Sequence, residues 1–330
     1  MKKSLIALAV LAASGASFAQ SSVSVYGIAD IWFGQTSGSA PTVSQTVLNS
    51  GGVSGSRWGL KGSEDLGGGL KANFLLEQGF ALDTGVSGAG FNRQAYVGFS
   101  GGFGEVKLGN VYTAYDDISG AANAAFDSAL APVSGVWKST GYVSNPNNNI
   151  YYASPSMGGF SGAVSYALGE NKTAALSAGS TTSLNVQYNG GPVYAGLGYQ
   201  KETPAGGGTA PSFTRVNATY DLGVAKILVG YGKVSDQNNA GATTAGASIT
   251  EWELGADFPV SSALTLSGGF ARSSDNVTAG NATRTGYGLA AAYSLSKRTT
   301  LYGGLQSATT SLAGVDTDAR VVAAGVKHTF

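Results

Sequence analysis

The sequence predicts an all-β protein: a transmembrane, antiparallel, up-and-down β-barrel of 16 strands. Apolar and polar residues alternate with a period of two along most of the chain, which places one set on each face of a sheet. The connections between the alternating runs are long and short in turn, as in an up-and-down barrel. Charged residues make up only 12% and glycines number 51. This composition suits strands and turns and would be costly in helices.

The beginning of the chain differs from the rest. Two lysines precede a short apolar stretch over residues 5–13, and the small residues Ser17 and Ala19 occupy the two positions that specify cleavage. This order predicts a secretory signal peptide over residues 1–19. Residues 20–330 are then expected to form a single transmembrane β-barrel domain. That domain has 17 basic and 19 acidic residues, a formal charge of −2, and no cysteine.

The stretch TEWELGADF shows the alternation most clearly. Its apolar positions are Trp252, Leu254, Ala256 and Phe258, and its other positions are Glu251, Glu253, Gly255 and Asp257. Similar runs of roughly ten residues match a strand tilted across a bilayer. From Ser22 to Phe330 we count 16 such runs, joined by eight long loops and seven short turns. No stretch approaches 18 consecutive apolar residues, so no transmembrane helix is expected.

A soluble β-sandwich would alternate in the same way, and two further features favour the membrane barrel. Aromatic residues end the apolar faces near the turns, as in the interfacial girdles of membrane barrels. They are Tyr188, Tyr220, Phe258, Tyr293 and Phe330. The opposite faces carry charged residues with few apolar ones among them, which fits a water-filled lumen. These charged residues include Glu77, Arg215, Glu251 and Glu253.

The end of the chain also alternates. Val322, Val326 and Phe330 share one face with His328, whereas Lys327 lies on the other. An open sheet edge in lipid would leave backbone groups without hydrogen-bond partners. We therefore predict that the barrel closes by pairing a segment around 23–31 with a segment around 322–330.

Five blocks of the sequence carry a family resemblance. They read SSVSVYGIAD, SGSRWGLKGSEDLGGGLKANFLLEQGF, FNRQAYVGFSGGFGEVKLGNVYTAYDD, NNNIYYASPSMGGFSGAVSY and GVKHTF. Together they resemble the trimeric general-diffusion porins of Gram-negative outer membranes, in the branch common among beta-proteobacteria. The resemblance implies a third loop folded into the pore, a homotrimer in the cell outer membrane, and contact with the lipid bilayer and lipopolysaccharide. It also implies that the assembly machinery of the outer membrane reads the terminal aromatic residue, Phe330.

The same resemblance implies a set of pore-constriction residues. Arg57 and Arg93 match the basic residues of the constriction wall, and Glu77 matches its acidic residue. The connection from residue 112 to about 147 occupies the place of the inward-folded loop. Its acids are Asp116, Asp117 and Asp127. Many members of the family carry an arginine in the next strand, near Tyr151, where this chain has no basic residue.

Alternation tests part of this assignment. Arg57 and Lys61 share a face opposite Trp58, which directs both basic residues into the lumen and adds Lys61 to the predicted constriction. Arg93 is ambiguous. Strict alternation with Val97 sends its side chain outwards, unless Arg93 lies beyond the regular strand.

The residues predict no enzyme active site, no cofactor and no metal. The single histidine, His328, lies near the end of the chain, where an interfacial ring explains it. The stretch GSEDLGGGLK resembles a P-loop, but Gly68 stands where the lysine is required. No nucleic-acid partner is expected either.

The predicted function is a passive, general-diffusion pore for small hydrophilic solutes and ions. Two alternatives stay open: a secreted β-rich binding or adhesion protein, and a substrate-specific outer-membrane channel. The second alternative would need a row of aromatic residues along the pore, and we find none on the polar faces. Arg57 and Arg93 favour anions, while Glu77, the loop acids and the net charge oppose them. We therefore expect weak selectivity that leans to anions.

Overall fold

The computed structural model describes residues 22–39, 43–238, 240–276 and 281–330. They form one antiparallel sheet that closes on itself, since its last strand pairs with its first. The strand segments are β1 (Ser22–Gly38), β2 (Gln45–Ser50), β3 (Arg57–Gly67), β4 (Leu70–Gly79), β5 (Gln94–Gly101), β6 (Gly104–Asn110), β7 (Asn149–Ala153), β8 (Phe160–Leu168), β9 (Ser180–Gly190), β10 (Val193–Thr203), β11 (Ser212–Asp221), β12 (Lys226–Gln237), β13 (Thr243–Pro259), β14 (Leu264–Asp275), β15 (Thr283–Ser294), β16 (Thr299–Leu312) and β17 (Val315–Thr329). The predicted signal peptide lies outside the described residues.

The 17 segments occupy 16 positions around the barrel. β2 pairs with residues 31–36 of β1, and β3 pairs with residues 22–28 of the same strand. The two segments therefore form one interrupted strand position beside β1. The predicted fold, a closed barrel of 16 antiparallel strands, is confirmed.

Asp30 of β1 holds the interruption between β2 and β3. Its buried carboxylate accepts backbone hydrogen bonds from Gly52, Val53 and Ser54 at 3.0, 3.0 and 2.8 Å. The Tyr302 hydroxyl of β16 donates to the same carboxylate. Hydrogen bonds to a charged acceptor are about twice as strong as neutral ones. The segment that leads into Arg57 is therefore fixed to the barrel wall.

The seam of the barrel joins β1 to β17. Ile28–Gly38 pairs with Ala319–Thr329. Gly27 and Phe330 then exchange two backbone hydrogen bonds of 3.1 Å. The predicted closure is confirmed, but its start is different. Val23 pairs only with β3, because β1 begins beyond the point where β17 ends.

The connections alternate in length as predicted, with two exceptions. The sixth long connection, residues 238–242, has only five residues. β16 and β17 continue to a two-residue turn at Ala313–Gly314, so the eighth long loop is absent and the hairpin itself projects. The third connection, residues 111–148, contains a short helix α1 (Asp116–Ser119) and a 3-10 turn (Ala125–Asp127). Within the described ranges, no helix has the length and apolar character to span a membrane.

Aromatic rings face outwards near both ends of the strands. Tyr220, Phe258, Tyr293 and Phe330 are about half exposed near the short turns, as the sequence predicted. Tyr188 lies on the same outward face as Leu184 and Val186, beside the short turn after β9, and its ring packs against that of Phe160, with centroids 4.8 Å apart. A second row of outward rings, nearer the long loops, was not predicted. It consists of Tyr231, Trp252, Phe270 and Tyr287.

Candidate functional site: the lumen wall and the third loop

The third loop, residues 111–148, touches the inward faces of the strands from β8 to β16. At one side Tyr115 N donates to Ser183 Oγ of β9 at 2.7 Å. At the other side Gln306 Nε2 of β16 donates to Ser134 O at 2.9 Å. Contacts with so many inward faces agree with the predicted folding of this loop into the pore.

Arg215 of β11 is one of the side chains that hold the loop. Its guanidinium donates to Ser119 O and to Ser139 Oγ, the latter at 2.9 Å. Its Cζ lies 4.7 Å from the centroid of the Trp137 ring, within cation–π range. The interpretation of Arg215 as a charge in a water-filled lumen is wrong, because the loop covers it completely.

Two carboxylates of β13 hold the loop from the neighbouring wall. Glu251 accepts hydrogen bonds from Lys138 N and from Ser139 N, the latter at 3.1 Å. Glu253 accepts from Ala124 N at 2.8 Å. The prediction that these two glutamates face lumen water is likewise wrong, because each is at most 1% exposed. Their side-chain oxygens satisfy backbone donors of an irregular loop.

Glycines on the inward faces make room for the loop. A Cβ atom built on Gly255 would lie 2.6 Å from the Cβ of Ala124, closer than real side chains approach. Three other strands each carry a Gly-x-Gly pair under the loop, where side chains would also collide with it. The pairs are Gly196 and Gly198 in β10, Gly230 and Gly232 in β12, and Gly286 and Gly288 in β15. The stretches GLG, GYG and GYG are visible in the sequence and mark the wall that the loop covers.

Part of the loop has a strained backbone. Ala125, Phe126 and Asp127 are left-handed in succession, with φ of 53°, 65° and 49°. Left-handed non-glycine residues cost roughly 1–2 kcal/mol each. Ser267 Oγ of β14 accepts from Ala125 N at 2.7 Å and helps to hold this conformation.

On the opposite wall, Glu77 of β4 brings two arginines together. Its carboxylate lies 2.8 Å from Arg93 Nε and 3.8 Å from Arg57 Nε, and it accepts a 2.8 Å hydrogen bond from the Tyr26 hydroxyl. The Glu77 side chain is 6% exposed, whereas those of Arg57 and Arg93 are 23% and 25% exposed. The acid is therefore hidden beneath the two bases, and the surface that meets water here is positive.

The structure defines the direction of the Arg93 side chain, which alternation left ambiguous. β5 begins at Gln94, so Arg93 lies beyond the regular strand, and its backbone N donates to Glu77 O at 3.2 Å. Its side chain consequently points inwards, and its Cζ lies 5.8 Å from the ring centroid of Tyr112 at the start of the third loop.

Two lysines extend the basic wall. Lys61 Nζ lies 5.0 Å from the ring centroid of Tyr26. Lys107 of β6 was not predicted: its Nζ lies 5.0 Å from the ring centroid of Tyr151, its partner on β7, and 3.0 Å from Glu105 Oε2. The ammonium group of Lys107 therefore lies beside Tyr151, although the strand of Tyr151 itself has no basic residue there. It comes from the neighbouring strand, and the sequence does not reveal which residues face each other across strands.

Inward tyrosines are a further difference from the sequence interpretation, which found no aromatic row on the polar faces. Tyr26, Tyr96, Tyr112 and Tyr151 lie on the lumen side, and each ring centroid is within 6 Å of a lysine or arginine. Each of these rings therefore lies within cation–π distance of a basic side chain of the wall.

Asp117 is an exposed acid of the loop, close to the basic wall. It accepts hydrogen bonds from the Tyr151 hydroxyl at 2.8 Å and from Asn185 Nδ2 at 2.9 Å. Although part of Asp117 is exposed to the lumen, the protein packed around its carboxyl group reduces hydration of the charged form and raises the pKa of Asp117 to about 6. The two hydrogen bonds and the charge of Lys107 oppose that rise. Asp117 therefore changes its charge near neutral pH.

The other two predicted acids have partners within the loop. Asp116 accepts a 2.6 Å hydrogen bond from the Tyr142 hydroxyl, and Asp127 accepts one of 2.6 Å from Asn123 Nδ2. Burial raises the pKa of both Asp116 and Asp127. In the described part of the chain, no loop acid forms an ion pair with Arg57. Among the described residues no ion pair joins the loop acids to the arginines, but the charge of Arg93 opposes the rise in the pKa of Asp116.

Within residues 22–39, 43–238, 240–276 and 281–330, no group of three or more His, Asp or Glu residues is arranged to hold a metal ion.

The chain matches a family model described as Gram-negative porin over residues 5–312. Among curated proteins, it is 37% identical to outer membrane porin protein 32 of Delftia acidovorans, over 92% of this chain and 89% of that protein. It is 28% identical to an outer membrane porin protein of Bordetella pertussis, over the full length of both.

Solved structures agree with these matches. An anion-selective porin from Comamonas acidovorans superposes with a TM-score of 0.79 and 28% identity, covering 94% of this chain and all of that one. A trimer form of OmpT from Vibrio cholerae superposes with a TM-score of 0.68 and 16% identity, covering 94% of this chain and 99% of that one. The second likeness shows the fold alone.

Proposed function

The chain belongs to the Gram-negative porin family, and on that premise we propose how its pore works. It is an outer-membrane general-diffusion pore. Small hydrophilic solutes and ions cross it passively, through the gap between the arginine wall and the third loop. The pore is weakly selective and leans to anions.

One observation carries the proposed sign of selectivity. Glu77 lies beneath Arg57 and Arg93, so the lumen sees two guanidinium groups and little of the carboxylate. Lys61 and Lys107 add positive charge on the same side. Patches of Arg and Lys at a narrow point favour anions, and the related porin from Comamonas is anion-selective.

Opposing charges keep the selectivity weak. Glu105 pairs with Lys107 at 3.0 Å, and Asp117 and Asp127 are exposed acids of the loop. The Debye length at physiological salt is about 8 Å, so charges on both sides act on an ion in a narrow lumen. The effects of the positive and negative charges on ion selectivity therefore nearly cancel.

The alternative functions are less well supported. A secreted binding protein does not agree with the outer-membrane location of the family. A substrate-specific channel would use free aromatic faces, but Tyr26, Tyr96, Tyr112 and Tyr151 have cations over or beside their rings.

Family membership also supports a proposal about export and assembly. We propose that residues 1–19 direct export, that the mature barrel forms a homotrimer, and that Phe330 is read during assembly. A solved neighbour of the same fold is described in a trimer form. The backbone pairing of Gly27 with Phe330 supports a role for the last residue in closing the barrel.

Planar bilayers test the pore directly. The purified protein should give steady conductance steps, and a salt gradient should give a small reversal potential of the sign for anions. Liposome swelling should follow the size of uncharged sugars and not their identity. A saturable preference for one sugar, or a reversal potential of the sign for cations, would contradict the proposal.

A further inference from the structure

Residues 51–56 form an irregular segment that separates β2 from β3 and leads directly into Arg57. Backbone N–H groups outside a strand ladder need other partners when they are buried, and the carboxylate of Asp30 in β1 serves them here. Asp30 is 0% exposed, so its oxygens are available to protein donors only. Four donors bond to its carboxylate: the backbone N–H groups of Gly52, Val53 and Ser54 and the hydroxyl group of Tyr302.

The backbone of Asp30 bonds to both ends of the same segment. Its carbonyl oxygen accepts from Gly51 N at 2.9 Å, and its N–H group donates to Ser56 Oγ at 3.0 Å. Gly52 makes room for the Tyr302 hydroxyl group, because a Cβ atom built on Gly52 would lie 2.1 Å from that oxygen. Asp30 therefore holds the segment from its first residue to its last.

On one side, the segment supports the two arginines of the lumen wall. Arg57 follows it directly, and Ser56 O accepts a 3.1 Å hydrogen bond from Phe80 N, just beyond the end of β4. A Cβ atom built on Gly55 would lie 3.4 Å from Arg93 Nη1, so the backbone of Gly55 lies beside that guanidinium group. Movement of the segment would consequently displace both Arg57 and Arg93.

On the other side, the segment receives the third loop. Ala129 N of the loop donates to Gly52 O at 2.8 Å. Val53 packs against the buried apolar cluster to which Leu130 of the loop belongs. The segment therefore contacts the third loop and the arginine wall at once, and these are the two sides of the proposed ion pathway.

We propose that Asp30 is a positioning residue of the pore, which holds the third loop and the guanidinium groups of Arg57 and Arg93 at a fixed separation through residues 51–56. Asp30 is buried, so it acts only through the residues that it holds. The third loop is also bonded to β9, β13, β14 and β16. Release of the segment therefore leaves the loop in place and lets the arginines move, so the width of the gap then varies with time.

Asp30→Asn tests this role because two donors share each carboxylate oxygen. Gly52 N and the Tyr302 hydroxyl group share Oδ1, and Val53 N and Ser54 N share Oδ2. An amide has one acceptor oxygen and one NH₂ group, so in either orientation of the amide two of the four donors lose their acceptor. Each charge-assisted bond that is lost should raise the population of the released segment by roughly ten-fold or more.

Single-channel recordings in planar bilayers measure this release. At about 1 M salt the Debye length is about 3 Å, so the lost charge of Asp30 has little influence and the current reports the width of the gap. The unsubstituted protein should give steady steps. Asp30→Asn should add substates and open-channel noise, and the fraction of open time spent in substates should rise by at least roughly ten-fold.

Two further variants complete the experiment. Tyr302→Phe removes one donor and no charge, so it should give the same substates less often than Asp30→Asn, and it takes the place of that variant if Asp30→Asn does not fold. Asp275→Asn is the matched control, because it removes a buried carboxylate that pairs with Arg284 at 3.2 Å, at the end of β14. Its records should be as steady as those of the unsubstituted protein.

The outcomes separate this role from the proposed function on which it rests. Steady records from both Asp30→Asn and Tyr302→Phe, in barrels shown to be folded by heat-modifiable gel migration, would overturn the role of Asp30 and leave the pore intact. Equal noise in Asp30→Asn and Asp275→Asn would also overturn it, since any loss of a buried charge would then have the same effect. Absence of conductance in the unsubstituted protein would contradict the pore itself.

Discussion

Arg57 and Arg215 are both inward arginines of one barrel, yet they belong to two different walls. Arg57 is part of the wall formed by β1 to β7, where its side chain is 23% exposed above Glu77. Arg215 belongs to the wall of β8 to β16, where the third loop covers it fully. The first arginine is partly exposed to the lumen, and the second binds backbone of the loop.

The glutamates of the two walls differ in the same way. Glu77 bonds to side chains of its own wall, the two arginines and Tyr26. Glu251 and Glu253 bond to backbone N–H groups of the loop. A lumen charge can therefore tune ion passage or fix the constricting loop, and the position of the loop decides which.

The largest expected effect is a loss of stability that a substitution in the loop-covered wall should cause and one in the exposed wall should not. Arg215→Ala removes hydrogen bonds to Ser119 and Ser139 and leaves the nearby carboxylate of Glu251 without its basic neighbour. Loss of a buried charged partner costs on the order of 3 kcal/mol in free energy of unfolding. Urea unfolding of barrels in lipid vesicles, followed by tryptophan fluorescence, measures this loss.

Arg57→Ala is the control for that measurement. Its guanidinium is partly exposed and forms a long 3.8 Å pair, so the expected loss is below about 1 kcal/mol. Equal losses for the two variants would show that the walls do not differ as described.

A smaller effect concerns Lys107 and its neighbour. Lys107→Gln should move the permeability ratio towards cations, and Glu105→Gln should move it towards anions, because the two groups carry opposite charges 3.0 Å apart. A unit charge about 10 Å from an ion in water contributes about 0.4 kcal/mol, or a factor of up to about two. Reversal potentials measure both shifts, and shifts of the same sign would reject the role of Lys107 in the wall.

The smallest expected effect is a change of the permeability ratio with pH. The pKa of Asp117 is raised to about 6, chiefly by burial. As the pH falls through 6, Asp117 gains a proton and loses its negative charge, so the preference for anions should rise. Asp117→Asn should weaken this pH dependence. A preference for anions that falls on acidification would contradict the assignment.

The sequence predicted much of the fold because membrane barrels alternate strictly. The faces of β13, the short turns and the closing strand were readable from a period of two. Two departures were not readable from this pattern. The Asp30 carboxylate holds an interruption between β2 and β3. The hairpin at Ala313–Gly314 replaces a loop.

The site was less predictable, for physical reasons. Alternation reports which face a residue occupies and not what covers that face, so Arg215 and Glu253 were misinterpreted as charges in water. Lys107 was missed because its partner Tyr151 is 44 positions away and comes alongside only through strand register. The Gly-x-Gly pairs under the loop were present in the sequence and would have marked the covered wall.

The reversal potential of Arg57→Ser tests most directly whether the exposed wall controls selectivity. The matched control is Arg320→Ser, which removes an arginine from the outer surface. We expect Arg57→Ser to shift the permeability ratio towards cations by up to about two-fold, whereas Arg320→Ser should leave it unchanged. An unchanged ratio in Arg57→Ser, or equal shifts in both variants, would contradict this expectation.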